Sequence, residues 1–271
     1  MSAKIPVFKL RQGGSPLLVS MPHVGTHLPS WLTPRLTPEA LALADTDWCL
    51  EALYDFLDEL DATLVVATHS RYVVDLNRPP DDASLYPGHS TTGLCPIDTF
   101  DARPVYVSGS EPGFPEMRRR IATYWRPYHT TLEAELARLK ALHGSALLWD
   151  AHSIRSKVPR FFEGELPNFN IGTADHQACA PELAERLAAV VRNHGAYSWV
   201  MNGRFKGGYI TRHYGQPGRG VHAVQLEMAM RTYMLEAPPF GFDEVLASPV
   251  RPVLRAMMEA MLVWQQSQQP Q

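Results

Sequence analysis

Short apolar runs that end on polar residues recur along this chain. Residues 17–25, LLVSMPHVG, open the series: Leu17, Leu18 and Val19 make a run too short for a useful helix and bounded by turn formers, which predicts a buried strand ending at His23. ATLVVATHS at 62–70 and SALLWDAHS at 145–153 repeat the theme, the second discharging Asp150, His152 and Ser153 at its end. NFNIGT at 168–173, AYSWVMN at 196–202 and VHAVQLEMAM at 221–230 read as further strands. Between them the apolar spacing turns to three and four, predicting helices over 38–60, 115–142, 181–194 and 242–264. Pro127 should kink or divide the second, and Gly144 and Gly195 should close the second and third. Strands alternating with helices predict an α/β fold, and in such sheets the carboxyl ends of the strands form the ligand crevice.

Departures from this pattern carry the information. In SRYVVDLNRPP the alternation predicts an extended segment with Arg71, Val73 and Asp75 on one side and Tyr72, Val74 and Leu76 on the other, so Arg71 and Asp75 can be neighbours. Residues 79–104 are turn-rich and long enough for a lid or a wall. Asp45 reads as the N-cap of a second helix segment, and Asp47 as an acid in its first turn, favoured by the helix dipole. Arg118, Arg119 and Arg120 read as a solvated helix face. Glu227 is the anomaly of the last strand. An acid in an apolar strand needs a cation or a raised pKa.

Composition narrows the class. The chain has 271 residues, 45% of them hydrophobic, enough to bury the core of one large domain. A formal charge of -3, from 25 basic against 28 acidic residues without a long run of either sign, argues against nucleic acid or an anionic membrane as partner. No stretch approaches a membrane span, and MSAKIPVFKLRQGG lacks the apolar core of a signal peptide, so the cytoplasm is the expected address. Cys49, Cys95 and Cys179 are far apart and lack CxxC spacing, which reads as reduced thiols.

Strands ending in PHVG, DAHS and QLEM would bring two imidazoles and a carboxylate to one sheet edge. Catalytic zinc is commonly held by two His and one carboxylate with a position left for water, and a further carboxylate beside that water serves as general base. Each residue also has an ordinary role open to it: His23 as a strand cap, Asp47 as a helix-terminal acid, Asp150 in a salt bridge, Arg71 bracing Asp75.

PHVGTHLP, ADTDW, SRYVVDLNRPP, RPYH, LLWDAHS and VQLEM, in this order from about residue 17 to residue 235, resemble the N-formylglutamate amidohydrolase family. The resemblance implies a phosphorylase/hydrolase-like fold similar to the zinc-dependent exopeptidases, a single-domain mixed β-sheet flanked by helices. It implies hydrolysis of N-formyl-L-glutamate, a step of histidine degradation, to formate and L-glutamate. The alternatives are action on another N-acyl amino acid, a cell-wall amidase, and a non-catalytic amino-acid or metal-binding protein. Where zinc carboxypeptidases carry HxxE, the residue three past His23 is Thr26, so the carboxylate ligand must come from elsewhere. Asp47, rather than Asp45, fits that place. On this reading His23, Asp47 and His152 hold one divalent metal, zinc first and cobalt, manganese or iron as alternatives, with Glu227 catalytic. Asp150, Asp75 and His129 stand behind these residues and orient them. Asn77 and Arg78 resemble the pair with which carboxypeptidases hold a terminal carboxylate. Arg71, Arg212 and His213 are the candidates for the second carboxylate of the small-molecule substrate.

Overall fold

Alternation within the strands explains the layering. In β2 (Leu17–Met21), Leu17, Val19 and Met21 pack into one core cluster while Leu18 packs into another, so the strand is buried on both faces. The computed structural model describes residues 5–268; the first four residues of the N-terminal segment and the last three of the polar tail lie outside the described residues. Around β2 a seven-stranded sheet forms in the order β1-β3-β2-β4-β7-β5-β6, with β1 at Phe8–Arg11, β3 at Thr63–Ala67, β4 at Ala146–Ile154, β5 at Phe169–Gly172, β6 at Trp199–Met201 and β7 at Val221–Ala229. β3, β2, β4 and β7 run parallel, and β1 and β5 pair antiparallel at either side of them. The sheet is therefore mixed, as expected. β1 is an addition to the sequence reading, because its FKLR is polar and only partly buried.

Eight α-helices accompany the sheet among the described residues: α1 (Pro38–Leu41), α2 (Leu50–Leu53), α3 (Phe114–Arg120), α4 (Arg126–His143), α5 (Pro181–His194), α6 (Tyr209–Tyr214), α7 (Glu244–Ala247) and α8 (Arg251–Ser267). α5 buries Leu183, Leu187 and Val191, and α8 buries Leu254, Met258 and Met261, the three- and four-residue spacings of one helix face, against the Leu17 side of the sheet. α4 covers the other face with Tyr128, Leu132, Leu136 and Leu139. Gly144 and Gly195 end α4 and α5 in the left-handed conformation, φ 78 and φ 74.

Four expectations are corrected. The helix over 38–60 is broken into α1, α2 and a 3-10 turn at Asp55–Asp58, because Leu43 and Cys49 take positive φ and the intervening residues turn Asp45 and Asp47 inward. Residues 70–78 are turns, not an extended segment. Every side chain from Ser70 to Asn77 is buried, so the alternation does not separate an inside from an outside. The helix around Pro127 is divided as expected, by a π-turn at Ile121–Trp125 ahead of α4, but the final helix is unexpectedly split into α7 and α8 around Ser248 and Pro249. Arg120 is buried rather than solvated: its Nη1 donates to the carbonyls of Tyr72 (3.2 Å) and Val73 (3.0 Å), which pins the turn segment under α3.

Candidate active site

The four parallel strands deliver their carboxyl ends to one edge, and the site is built there. His23 lies two residues past β2. Gly25 follows because the chain passes so close to the Thr68–His69 backbone that a Cβ would fall 2.3 Å from the His69 carbonyl oxygen. β4 carries Asp150 and His152 on the face of Ala146 and Leu148, and β7 carries Gln225 and Glu227 on the face of Ala223, all toward α4 and α6. The turn after β3 supplies Arg71, Asp75, Asn77 and Arg78. Asp47 arrives from the loop before α2, its N–H donating to the His23 carbonyl at 3.0 Å.

His23, Asp47 and His152 form a buried group whose ligand atoms lie within 4.8 Å of one another. Both imidazoles are oriented alike. His23 Nε2 is 2.7 Å from Asp75 Oδ1 and His152 Nε2 is 3.0 Å from Asp150 Oδ2, while Nδ1 of each faces Asp47 Oδ2, at 3.7 and 3.1 Å. A carboxylate that accepts from one ring nitrogen fixes the tautomer and leaves the other nitrogen's lone pair for a cation. The Ser153 N–H donates to Asp47 Oδ2 at 3.2 Å. Two imidazole nitrogens and one carboxylate oxygen, each backed this way, are a donor set that fits a divalent metal.

The electrostatics follow from burial and pairing. Burial works against charge on Asp47, but hydrogen bonds to His152 and His23 outweigh it and hold the carboxyl below its ordinary range. Burial likewise opposes a charged His152, yet Asp150 and Asp47 raise its pKa well above the usual value. In Glu227, only 8% exposed, burial outweighs the cations: it pushes the carboxyl up to about 8, His152 drawing it down and Asp47 up. The strand acid thus has the raised pKa its sequence context called for.

Asp45 is a separate, structural group. Its Oδ2 accepts from the Tyr72 hydroxyl (2.8 Å) and the Phe100 N–H (2.9 Å), so it neither caps a helix nor joins the imidazoles. Arg71 Nη2 meets Asp75 Oδ2 at 2.6 Å, with its guanidinium carbon 4.8 Å from the centre of the Phe100 ring. The turn, not a shared strand face, brings that pair together. Asp75 is in this way clamped between Arg71 and His23. The Asn77 amide is taken up internally, Oδ1 accepting from the Ile210 N–H (2.8 Å) and Nδ2 reaching Asp150 Oδ2 (3.2 Å). Gly208 has no room for a side chain, since a Cβ would meet that amide at 2.3 Å. His129 stands further back: Nε2 donates to the Leu76 carbonyl at 2.8 Å and its ring stacks on Trp125, so it braces the turn bearing Asn77.

A cleft opens over this group, lined by His23, Asp47, His152 and Glu227 at its base and by Arg71, Asn77, Arg78, Tyr86, Phe100, Phe161 and Arg204 around them. Residues 79–104 do wall it, through Tyr86, Ser90, Thr91 and Phe100. Two expected residues do not reach the lining. Arg212 donates through Nε to the Gly207 carbonyl (2.8 Å) within α6 and its approach, and His213 stacks on Tyr209 and meets Tyr214 edge-on, because α6 turns both away from the strand ends. The glycine-rich passage instead contributes Arg204, which sequence reasoning missed. Gln225 was missed as well, although its two-residue spacing from Glu227 repeats that of Asp150 and His152.

Comparison with known proteins places the chain. Residues 15–234 match the model of the N-formylglutamate amidohydrolase family. A protein named N-formylglutamate deformylase from Pseudomonas aeruginosa is 54% identical over 258 residues, covering 95% of this chain and 97% of that one. One of the same name from Pseudomonas putida is 51% identical over 258 residues, covering 95% and 96%. The fold is shared with the crystal structure of N-formylglutamate amidohydrolase from Ralstonia eutropha JMP134, at a TM-score of 0.80 and 24% identity over 97% of this chain and 98% of that one. It is shared also with a gene product of Agrobacterium tumefaciens, at a TM-score of 0.72 and 20% identity over 96% and 97%. On a family match across most of its length and relatives more than half identical, the chain belongs to the N-formylglutamate amidohydrolase family.

Proposed function

We propose that this protein is a metal-dependent amidohydrolase that cleaves N-formyl-L-glutamate to formate and L-glutamate, in the setting of histidine degradation, and that residues 1–271 act as one catalytic domain. The observation that carries this reading is the matched orientation of His23 and His152. Each is held through Nε2 by an aspartate with Nδ1 turned to the same Asp47 oxygen, and His152 pairs across adjacent strands with the buried Glu227. A divalent cation held by His23, Asp47 and His152, zinc in the first instance, would acidify a water molecule to a pKa of about 7 and polarise the formyl oxygen.

Glu227 supplies the proton transfers. Its carboxylate takes a proton from the attacking water as the water oxygen bonds the formyl carbon, then returns it to the amide nitrogen as the C–N bond breaks, so the amine leaves neutral. Its side chain accepts one hydrogen bond among the described residues, from Gln225 Nε2 at 3.4 Å, which leaves its remaining acceptor capacity to the water. Asp75 and Asp150 keep the two imidazoles in the tautomer that faces Asp47. Arg71, held by Asp75, offsets the negative charge gathered around Asp47 and Asp75. Arg78 is placed to receive the α-carboxylate through a planar fork. No helix of the described residues is long and apolar enough to cross a membrane, which accords with a cytoplasmic small-molecule enzyme.

The test is metal analysis of the purified protein followed by a formate-release assay on N-formyl-L-glutamate, with other N-acyl amino acids alongside. Stoichiometric divalent metal and formate release with a preference for N-formyl-L-glutamate are expected. Formate release that survives complete removal of metal would overturn the metal-dependent reading, and preference for another acyl amino acid would overturn the substrate.

A further inference from the structure

Two guanidinium groups in the cleft wall, Arg78 and Arg204, form no ion pair within 4 Å among the described residues. Arg78 donates through Nε to the Thr92 carbonyl (2.8 Å), through Nη1 to the Asn77 carbonyl (3.3 Å) and through Nη2 to the Thr92 hydroxyl (3.3 Å). Arg204 donates through Nε to the Phe161 carbonyl (2.6 Å) and through Nη2 to the Ser90 carbonyl (3.0 Å). All these acceptors are neutral. Arg71, by contrast, holds Asp75 at 2.6 Å.

Arg204 is also immobilised. Its guanidinium carbon lies 5.4 Å from the centre of the Tyr86 ring, 5.8 Å from Phe161 and 5.3 Å from Phe205, and none of its hydrogen bonds to described residues uses Nη1. A planar cation stacked in this way loses little entropy when it binds a carboxylate. Burial and the repulsion of Arg78 disfavour its charge, while Tyr86 and Glu227 favour it. Arg78 and Glu227 are therefore each within electrostatic reach of Arg204, and all three line one cleft. Partly desolvated like charges, neither ion-paired to a carboxylate among the described residues, are relieved by a ligand that brings two negative charges.

We propose that Arg204 reads the γ-carboxylate of the substrate, opposite Arg78 on the α-carboxylate, and so selects dicarboxylic N-formyl amino acids. The inference rests on the substrate reading above for the identity of the ligand. It replaces Arg212 and His213, which the same glycine-rich passage offered and the fold turns away. The polypeptide carbonyls of Ser90 and Phe161 act as the bracket that aims the fork, tying substrate selection to the wall formed by residues 79–104.

The experiment compares kcat/KM of the metal-loaded enzyme on N-formyl-L-glutamate and on N-formyl-L-glutamine, which differs only in a neutral γ-amide. In Arg204→Met the ratio of the two should fall about 10- to 100-fold, the loss expected for a hydrogen bond to a charged group. Arg204→Lys, which keeps the charge and loses the fork, should fall between the parent and Arg204→Met. Calorimetric binding of L-glutamate against L-glutamine is measured in parallel. If the parent enzyme discriminates and both variants discriminate equally well, with binding preference also unchanged, the assignment of Arg204 is wrong. If the parent releases no formate yet binds L-glutamate over L-glutamine through Arg204, the substrate reading fails and the dicarboxylate site stands. Should neither turnover nor binding prefer the dicarboxylate in the parent, both are overturned.

Discussion

His152 of β4 and Glu227 of β7 are direct partners in the register of two parallel strands. Paired residues in a parallel ladder project to the same face, so the spacing between an imidazole of the proposed metal site and the proposed base is set by the sheet and not by a loop. Glu227→Gln preserves volume and register while removing the proton acceptor. The variant should bind metal as the parent does and lose about 10² to 10⁴ in turnover. Metal content by elemental analysis, with turnover by formate release, checks this, and near-normal turnover would remove Glu227 from the mechanism.

The aspartates behind the imidazoles make a second prediction. His152→Ala should lose both metal and activity. Asp150→Asn, which keeps the shape but ends charge-assisted acceptance from His152 Nε2, should weaken metal affinity by about 10- to 100-fold. Competition with a chelator of known affinity measures both. Retention of stoichiometric metal by His152→Ala under that challenge would show that the ligand set is wrongly drawn.

The strand ends were legible in the sequence because two-residue alternation and apolar runs are properties of a local segment. His23, His152 and Glu227 could be found that way. The carboxylate from the loop before α2 could not be found from periodicity, which assigned Asp45 and Asp47 to a helix start. Their inward turn depends on positive φ at Leu43 and Cys49 and on partners 27 and 105 residues away, Tyr72 and His152. The resemblance picked Asp47, and the buried group contains it. Arg204 escaped notice because nothing within its own segment distinguishes it from Arg212. Only packing against Phe161 and Ser90, brought in from elsewhere in the chain, puts one arginine in the cleft and leaves the other on α6.

A third prediction concerns Arg78. Its Nε and Nη2 are anchored on Thr92, so the fork is presented by the wall of residues 79–104. Arg78→Lys should keep fold and metal but weaken catalysis on N-formyl-L-glutamate about 10-fold or more, because a point charge cannot form two parallel hydrogen bonds to a carboxylate. Comparing the variant on N-formyl-L-glutamate and on its α-amide decides the role. An unchanged preference between the two would show that Arg78 does not read the α-carboxylate.

His129 makes the stability of the fold depend on pH. Burial pulls its imidazole down to about 3, the hydrogen bond to the Leu76 carbonyl works in the opposite sense, and His213 repels a charge there. In the unfolded chain the same ring titrates near ~6.5, so between those values the unfolded state binds a proton that the folded state does not. Its contribution is fully present above about pH 6.5 and is lost as pH falls toward 3, at up to ~1.4 kcal/mol per unit, or about 2 kcal/mol between pH 8 and pH 5. His129→Gln can still donate to Leu76 but cannot titrate. It should be less stable than the parent at pH 8, having lost the ring stacked 3.8 Å from Trp125. Its decline from pH 8 to pH 5 should nonetheless be shallower by about 2 kcal/mol, the rest of the decline coming from other histidines such as the half-buried His69 and the buried His222, whose pKa values burial also lowers. Urea unfolding of both proteins at the two pH values measures the difference. Parallel declines would mean that His129 is protonated in the folded protein and that its bond to Leu76 persists in the charged state.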